Sequence, residues 1–398
     1  MLLSRWGEAG VYFGEGFFDA YDGESPYDEG YMALADEEAR LENDYYDLCA
    51  QAADMEIGSD AFYETYAMTF AQLYADLIAV RQEMAAYFGY DSYPQLAYDM
   101  YYYREYTPQQ TARYMQQLAQ ELSPLYSQTM DLESWKWGRD ASAQQDVFLY
   151  VEKVAHAMGG TVREAFRRME QGELYDISSD SNKFDGGYEV YLTSYQMPFV
   201  FLKTYGENYD KLSFAHEFGH FAHDYICQGS YATVDVSEVM SQAMEYLSTL
   251  YTEDSRAESY KLLDGLSTMV EEACYTLFEL RAYELEGDEL SAQSLMELYE
   301  QTCSEFGLTW EVPLGFTTIQ HYYAYPMYVS SYVYTCDVAF QIYQQEKEQK
   351  GDGLKTLERC LNSHDVYLVE FAQTYGLESP FKEGRLKAIR LALEEALK

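Results

Sequence analysis

The sequence predicts a predominantly α-helical protein that contains one small β element. Apolar side chains recur every three or four residues over long stretches, which is the spacing of one face of a helix. Only 8 prolines interrupt the 398 residues, and the sequence shows no Pro/Ser-rich linker and no internal repeat. One stretch, residues 177–210, carries instead the β-branched and aromatic residues that are typical of strands.

Helices are predicted along most of the chain on both sides of that stretch. Residues 60–90 carry apolar side chains at helical steps, and residues 107–122 open with Thr-Pro, which is typical of a helix start. Helices resume after the β element and continue to the end of the sequence. We interpret this order as an N-terminal helical lobe over residues 1–175 and a catalytic lobe over residues 176–398, packed as one two-lobed unit.

The predicted β element lies directly before the most unusual helix of the chain. It opens with polar turn residues and Gly186–Gly187, and strand-type residues follow until Pro198 interrupts them. This pattern predicts a short sheet or hairpin that leads into a helix over residues 212–227.

Composition excludes several classes of partner. The formal charge is −42, because 68 acidic residues outnumber 26 basic ones, and a phosphate backbone would be repelled by that charge. No apolar stretch approaches the roughly 20 residues of a membrane helix, and the first residues lack a signal-peptide pattern. The 6 cysteines are scattered without CxxC spacing, which is typical of reduced thiols. We therefore expect a cytoplasmic protein with no nucleic-acid or membrane partner, and the sequence predicts no oligomeric state.

Three of the 6 histidines fall in one segment, AHEFGHFAHDY (215–225). His216 and His220 are four residues apart, so on a helix their imidazoles lie one above the other and can bind one ion. Glu217 completes H-E-x-x-H, the pattern in which a carboxylate acts as general base beside the metal of a metallopeptidase. His223 lies on the same face, where it could serve as a third ligand. Gly219 indicates that another backbone or a substrate passes close to this helix.

A second helix, predicted over residues 236–251, offers a better third ligand. Glu238 and Glu245 are seven residues apart and therefore share one face of that helix. One glutamate added to two histidines gives the ligand set of catalytic zinc, which leaves a fourth position open for water. We favour Glu238 as the ligand, with Glu245 and His223 in supporting positions beside the ligands. Glu245 would orient an imidazole through its free N–H.

HEFGHFAH, followed by SEVMSQAMEYL, resembles the zinc motifs of the thimet oligopeptidase and oligoendopeptidase F family of metallopeptidases. The resemblance covers most of residues 35–398 and is most specific at these motifs. It implies a large helical metallopeptidase fold with a deep substrate channel, one Zn²⁺ per chain, and Glu238 as the third ligand. It also implies that GGYEVYLTSYQMPFVF is the strand segment along which the substrate backbone lies. Relative to that family, we expect the chain to be shortened at the N-terminus and between His216 and Glu238.

The segment HYYAYPMYVSSYVYT (321–335) is similar to a part of that family that closes over the metal site. Four of its side chains fall at helical spacing: His321, Tyr325, Tyr328 and Tyr332. They share one face if a helix begins near Tyr325, because proline is tolerated in the first turn of a helix. The resemblance implies that His321 and a tyrosine hydroxyl stabilise the oxyanion formed during hydrolysis. We rank Tyr328 and Tyr332 above Tyr325 for that role.

These observations predict a zinc-dependent oligoendopeptidase that hydrolyses internal bonds of short, unstructured peptides. Zinc is inferred from the ligand types alone. Two alternatives stay open: a zinc carboxypeptidase of related helical fold, and an inactive relative that binds zinc and peptide without turnover. The intact Glu217 argues against the inactive relative, because a chain without activity would be free to lose its general base.

Overall fold

A computed structural model describes residues 28–52, 55, 58–180, 183, 186–229 and 232–397, so the first part of the predicted N-terminal lobe lies outside the described residues. Helices dominate the first half of the described chain: α1 (Glu29–Ala52), α2 (Asp60–Phe62), α3 (Met68–Tyr87), α4 (Tyr93–Met100), α5 (Pro108–Thr129), α6 (Lys136–Arg139), α7 (Gln144–Met158) and α8 (Gly160–Gln171). A π-helical turn over Tyr63–Ala67 joins α2 to α3.

A three-stranded sheet follows, made of β1 (Tyr175–Ser178), β2 (Gly187–Leu192) and β3 (Met197–Lys203). The strand order is β1-β3-β2, with β1 parallel and β2 antiparallel to β3. Within the described residues β2 is therefore an edge strand. The prediction of a small β element before the histidine helix is confirmed.

The rest of the described chain is helical again. Its helices are α9 (Tyr209–Cys227), α10 (Val234–Leu250), α11 (Arg256–Ala282), α12 (Ala292–Phe306), α13 (His321–Ala324), α14 (Ser330–Glu348), α15 (Asp352–Cys360), α16 (Leu368–Thr374) and α17 (Arg385–Ala396). The predominantly helical class predicted from the sequence is confirmed.

The predicted Thr-Pro helix start is present at α5. The Thr107 hydroxyl accepts a hydrogen bond from the Gln110 N–H at 3.2 Å, and the Gln110 side chain accepts one from the Thr107 N–H at 2.8 Å. Pro108 occupies the first turn, where backbone N–H groups have no acceptor within the helix, so the lack of an N–H costs no hydrogen bond. These reciprocal bonds fix the start of α5 because they pair donors that the helix itself leaves free.

The two motif helices pack with their backbones in contact. A Cβ atom placed on Gly219 of α9 would lie 2.6 Å from the Ser241 Cα and 2.7 Å from the Met240 carbonyl oxygen of α10. Only glycine allows this approach. The sequence analysis expected another backbone or a substrate close to Gly219, and the backbone of α10 lies there. Only residues 228–233 separate the two helices, so α9 and α10 form a helical hairpin with a short connection.

One contiguous hydrophobic core runs through the described chain, from Leu41 of α1 to Leu393 of α17. Side chains of both predicted lobes therefore share this core, and the boundary at residue 175 stays a prediction. No helix in the described ranges combines the length and the apolar character that crossing a bilayer requires.

Candidate metal centre

The side chains of α9 and α10 bring three ligand atoms to one point. The His216 Nε2 and His220 Nε2 atoms lie 3.2 Å and 3.6 Å from the Glu238 Oε2 atom, and 3.3 Å from each other. One ligand atom from each of these three residues lies within 4.8 Å of the other two. Glu238 is buried, whereas the two histidines are partly exposed, so the ligands converge at the wall of a cavity.

The second nitrogen of each imidazole is held by a separate partner. The His216 Nδ1 atom lies 2.7 Å from Glu245 Oε1, and the His220 Nδ1 atom lies 2.9 Å from Ser237 Oγ. In a neutral imidazole an acceptor at Nδ1 holds the proton there and leaves the Nε2 lone pair for a metal ion; Glu245 is such an acceptor for His216, and the Ser237 hydroxyl is able to accept from His220. Nε2 lone pairs and a carboxylate oxygen that lie this close together are stabilised by a cation, so the donor set fits a divalent metal ion such as Zn²⁺.

Glu245 is held by a buried lysine that the sequence analysis missed. The Lys261 ammonium donates to Glu245 Oε2 at 2.6 Å and to the Asp264 carboxylate at 2.7 Å. Burial favours the neutral form of Glu245, but Lys261 and His216 together hold its pKa below the usual value. Glu245 therefore remains an anion that can orient the His216 imidazole. Lys261 lies on α11, outside both motifs, and no sequence spacing marked it.

The two oxygens of Glu238 have separate hydrogen-bond partners. The Tyr328 hydroxyl donates to Oε1 at 2.7 Å, and the Ser241 hydroxyl donates to Oε2 at 2.8 Å. Burial favours the neutral acid, but the adjacent imidazoles of His220 and His216 hold the pKa of Glu238 well below its usual range. The carboxylate is therefore ionised and oriented, as metal binding requires.

Glu217 lies beneath the edge strand of the sheet. A Cβ atom on Gly187 of β2 would lie 2.8 Å from Glu217 Oε1, so the strand backbone passes directly over the carboxyl group. Glu217 is 7 % exposed, and burial raises its pKa while His216 and His220 partly oppose the rise. A carboxylate with a raised pKa is a stronger base, which suits a group that takes a proton from water near neutral pH.

The segment that follows α13 differs from the sequence prediction. The helix expected to begin near Tyr325 begins at Ser330, and that prediction is wrong. Tyr325 precedes Pro326 and is driven out of the helical region, to φ −140° and ψ 61°. Met327, directly after Pro326, takes a positive φ of 68°.

The break in the helix still brings the predicted side chains together. The Tyr332 hydroxyl lies 3.4 Å from His321 Nε2, and the Tyr328 ring centre lies 5.2 Å from that of His321. The Tyr325 side chain, by contrast, is 53 % exposed. Burial lowers the pKa of His321 to about 4, so its imidazole is neutral at pH 7.

His223 lies away from the centre. Its Nε2 atom is 3.3 Å from the Ser363 carbonyl oxygen and its Nδ1 atom is 3.3 Å from the Asp224 carboxylate. Seven residues along a helix span about 10.5 Å, so His223 shares a face with His216 but lies beyond the reach of the same ion. His223 therefore does not occupy the supporting position predicted for it. Glu245 does, because it contacts His216.

The centre opens into a cavity of about 370 Å³. Its wall combines the edge strand, both motif helices, α11, α13 and α14, and includes Gly187, His216, Glu217, Glu245, His321 and Tyr332. The predicted metal ligand His216, the predicted base Glu217 and the oxyanion candidates His321 and Tyr332 thus line one cavity.

Comparisons with known proteins agree with this arrangement. The family model of peptidase family M3 matches residues 33–388. No curated protein matches the sequence significantly.

Solved structures show the same fold at low sequence identity. PZ peptidase A, solved with an inhibitor, is 19 % identical with a TM-score of 0.83, covering 98 % of this chain and 81 % of that one. A protein described as an oligoendopeptidase F is 19 % identical with a TM-score of 0.82, covering 99 % and 81 %. Another, from Bacillus anthracis strain Ames, is 18 % identical with a TM-score of 0.77, covering 99 % and 80 %. Because the family match spans most of the sequence, the chain belongs to peptidase family M3 and is a metalloendopeptidase of that family.

Proposed function

We propose that the protein is a zinc-dependent oligoendopeptidase that hydrolyses internal bonds of short, unstructured peptides. The observation that carries this proposal is the convergence of His216, His220 and Glu238 on one point beside the buried carboxyl of Glu217. Those three residues would hold the ion. A bound Zn²⁺ supplies a Lewis acid that polarises the scissile carbonyl and makes water more acidic.

Proton transfer is the role proposed for Glu217. Its carboxylate takes a proton from the attacking water and delivers it to the leaving amine, so that the general base becomes the general acid. The nearby backbone of β2 shields this carboxyl from bulk solvent, which explains the direction of its pKa shift. The intact base disfavours a relative that only binds peptide.

The oxyanion is proposed to form beside His321 and Tyr332. The Tyr328 hydroxyl already donates to Glu238, so its contact orients a metal ligand. Tyr332 lines the cavity next to His321, and its hydroxyl is the better placed of the two to donate to substrate. Donors aimed at developing negative charge contribute several kcal/mol to catalysis, about 3 kcal/mol each.

The edge strand supports an extended peptide as substrate. Outward-facing N–H and C=O groups of β2 have no strand partner within the described residues, and an extended peptide can pair with such an edge. The strand passes over Glu217, so a peptide added there would run beside the proposed base. A folded protein cannot present its backbone in this way, which favours short, unstructured substrates.

The test is Glu217→Gln, assayed on an internally quenched peptide blocked at both ends, with zinc content measured in parallel. We expect the variant to lose activity by about 10²–10⁴-fold and to keep its zinc, because the amide cannot take a proton. Glu300→Gln, an exposed acid on α12, controls for the loss of one charge and should retain activity.

Three results would contradict the proposal. Full activity in zinc-loaded Glu217→Gln would rule out the proposed base. Cleavage that requires a free C-terminus would instead indicate the carboxypeptidase. Zinc and peptide binding by the wild-type chain without turnover would indicate the inactive relative.

A further inference from the structure

One wall of the cavity is formed by a single face of α11. Four side chains at helical spacing line it: Lys261, Asp264, Thr268 and Glu272. The Lys261 ammonium donates to Asp264 and to Glu245. Glu272 lies eight residues beyond Asp264, which is about 12 Å further along the helix.

Glu272 has no hydrogen bond or ion pair among the described residues. Its neighbour Glu271 differs, because it accepts a hydrogen bond from the Tyr126 hydroxyl at 2.5 Å. Of the two lysines that line the cavity, Lys261 is held by two carboxylates, and Lys203 lies 6.0 Å from the centre of the Tyr205 ring. Burial and then the charge of Glu271 raise the pKa of Glu272 to about 8. The wall thus holds a carboxyl group that lacks a counter-charge.

A second unsatisfied acceptor belongs to Gln242 of α10, which lines the same cavity and is 4 % exposed. Its Nε2 atom donates to the Tyr332 carbonyl oxygen at 3.3 Å. Because a carbonyl oxygen only accepts, this bond decides which end of the amide is which. The Oε1 atom is then a buried acceptor without a hydrogen bond in the described part of the chain. Such a group costs free energy until a donor reaches it.

We propose that Glu272, assisted by Gln242, forms a specificity site for a lysine or arginine side chain of the substrate peptide. The inference rests on the proposed function, because the site lies in the cavity that would hold the cleaved bond. Lysine and arginine side chains carry only donors and a positive charge, whereas the two lining groups that lack a partner among the described residues are the Glu272 carboxyl and the Gln242 carbonyl oxygen. A bound cation also supplies a counter-charge and thereby favours the ionised form of Glu272, which its raised pKa otherwise disfavours near pH 7.

The site adjoins the proposed oxyanion position. Tyr332 connects the two, since its carbonyl oxygen accepts from Gln242 and its hydroxyl lies 3.4 Å from His321 Nε2. The recognised side chain therefore belongs to a residue close to the cleaved bond. The charge of −42 acts in the same direction, because it attracts basic peptides to the protein.

The test compares end-blocked, quenched peptides that are identical except for lysine or norleucine, placed in turn at each position around the cleaved bond. At one position, wild-type enzyme should cleave the lysine peptide with a kcat/KM about tenfold higher or more, as expected for a charge-assisted hydrogen bond. Glu272→Gln should reduce this ratio towards one. Glu271→Gln removes the neighbouring charge and should leave the ratio unchanged. Glu272→Lys should reverse the preference towards a glutamate peptide.

Binding provides a second readout that does not depend on turnover. The Kd values of the lysine and norleucine peptides are measured on zinc-loaded Glu217→Gln, with and without Glu272→Gln. The same loss of preference is expected there. If wild-type enzyme cleaves neither peptide, the proposed function is wrong, and the Kd ratio alone decides this inference. Equal Kd values at every position, or a preference that survives Glu272→Gln, would overturn it.

Discussion

The two halves of the centre are held in place by different means. The metal-ligand half lies on α9 and α10, two consecutive helices whose backbones touch at Gly219. The oxyanion half lies in residues 321–332 and is held by side chains from distant parts of the chain. The first half is thus fixed by local geometry and the second by long-range polar contacts.

The turn that carries Tyr328 shows this dependence most clearly. Met327 has a positive φ of 68°, a backbone conformation that costs free energy for a residue with a side chain. Glu279 accepts a hydrogen bond from the Met327 N–H at 2.9 Å, and Arg104 donates to the Met327 carbonyl oxygen at 2.9 Å. Both peptide groups of the strained residue are therefore held by the buried side chains of Glu279 and Arg104.

Arg104 also connects the oxyanion half to the ligand half. Its guanidinium lies 3.3 Å from both oxygens of Asp235, in the first turn of the helix that carries Glu238. A second buried arginine, Arg81, donates to the carbonyl oxygens of Tyr322 and Tyr323, directly after His321. The two halves should therefore respond to different substitutions. The ligand half should respond to changes at the contact between α9 and α10, and the oxyanion half to changes of these arginines.

The largest effect is expected from Gly219→Val in the ligand half. The added side chain would lie within 3 Å of the α10 backbone, where nothing can move aside without separating the helices. We expect stoichiometric zinc binding to be lost and the free energy of unfolding to fall by about 3 kcal/mol or more. Zinc analysis and chemical denaturation measure both. Ala39→Val, at an exposed position of α1, controls for a β-branched residue in a helix, and unchanged zinc binding in Gly219→Val would refute the contact argument.

A smaller and more selective effect is expected from Arg104→Met in the oxyanion half. The loss of the guanidinium frees the Met327 turn, so the Tyr328 and Tyr332 hydroxyls shift relative to the metal ligands. We expect kcat to fall about 10²-fold, the cost of a displacement near 1 Å, while zinc remains stoichiometric. Arg113→Met removes an exposed arginine of α5 as a control. If Arg104→Met left kcat unchanged, or lost as much zinc as Gly219→Val, the two halves would not be held by different means.

The same distinction explains which features could be predicted from the sequence. The period of a helix predicts that His216 and His220 share one face and that Glu238 and Glu245 share another, and the family resemblance singles out Glu238 as the ligand. The prediction of a helix start near Tyr325 was wrong because Pro326 restricts the backbone of the residue before it. The helix begins at Ser330 instead. Arg104 and Met327 are 223 residues apart, and no periodicity relates such positions. Lys261 was missed for the same reason: it lies on α11 and its partner Glu245 lies on α10.

The central claim is that His216, His220 and Glu238 bind one divalent ion, and zinc affinity tests it most directly. Purified wild-type protein is titrated against a chromophoric chelator, beside Glu238→Gln and the control Glu253→Gln, an exposed acid beyond α10. We predict one zinc per chain in the wild type and the control, and an affinity weakened more than about 100-fold in Glu238→Gln. Equal zinc affinity in all three proteins would contradict the account.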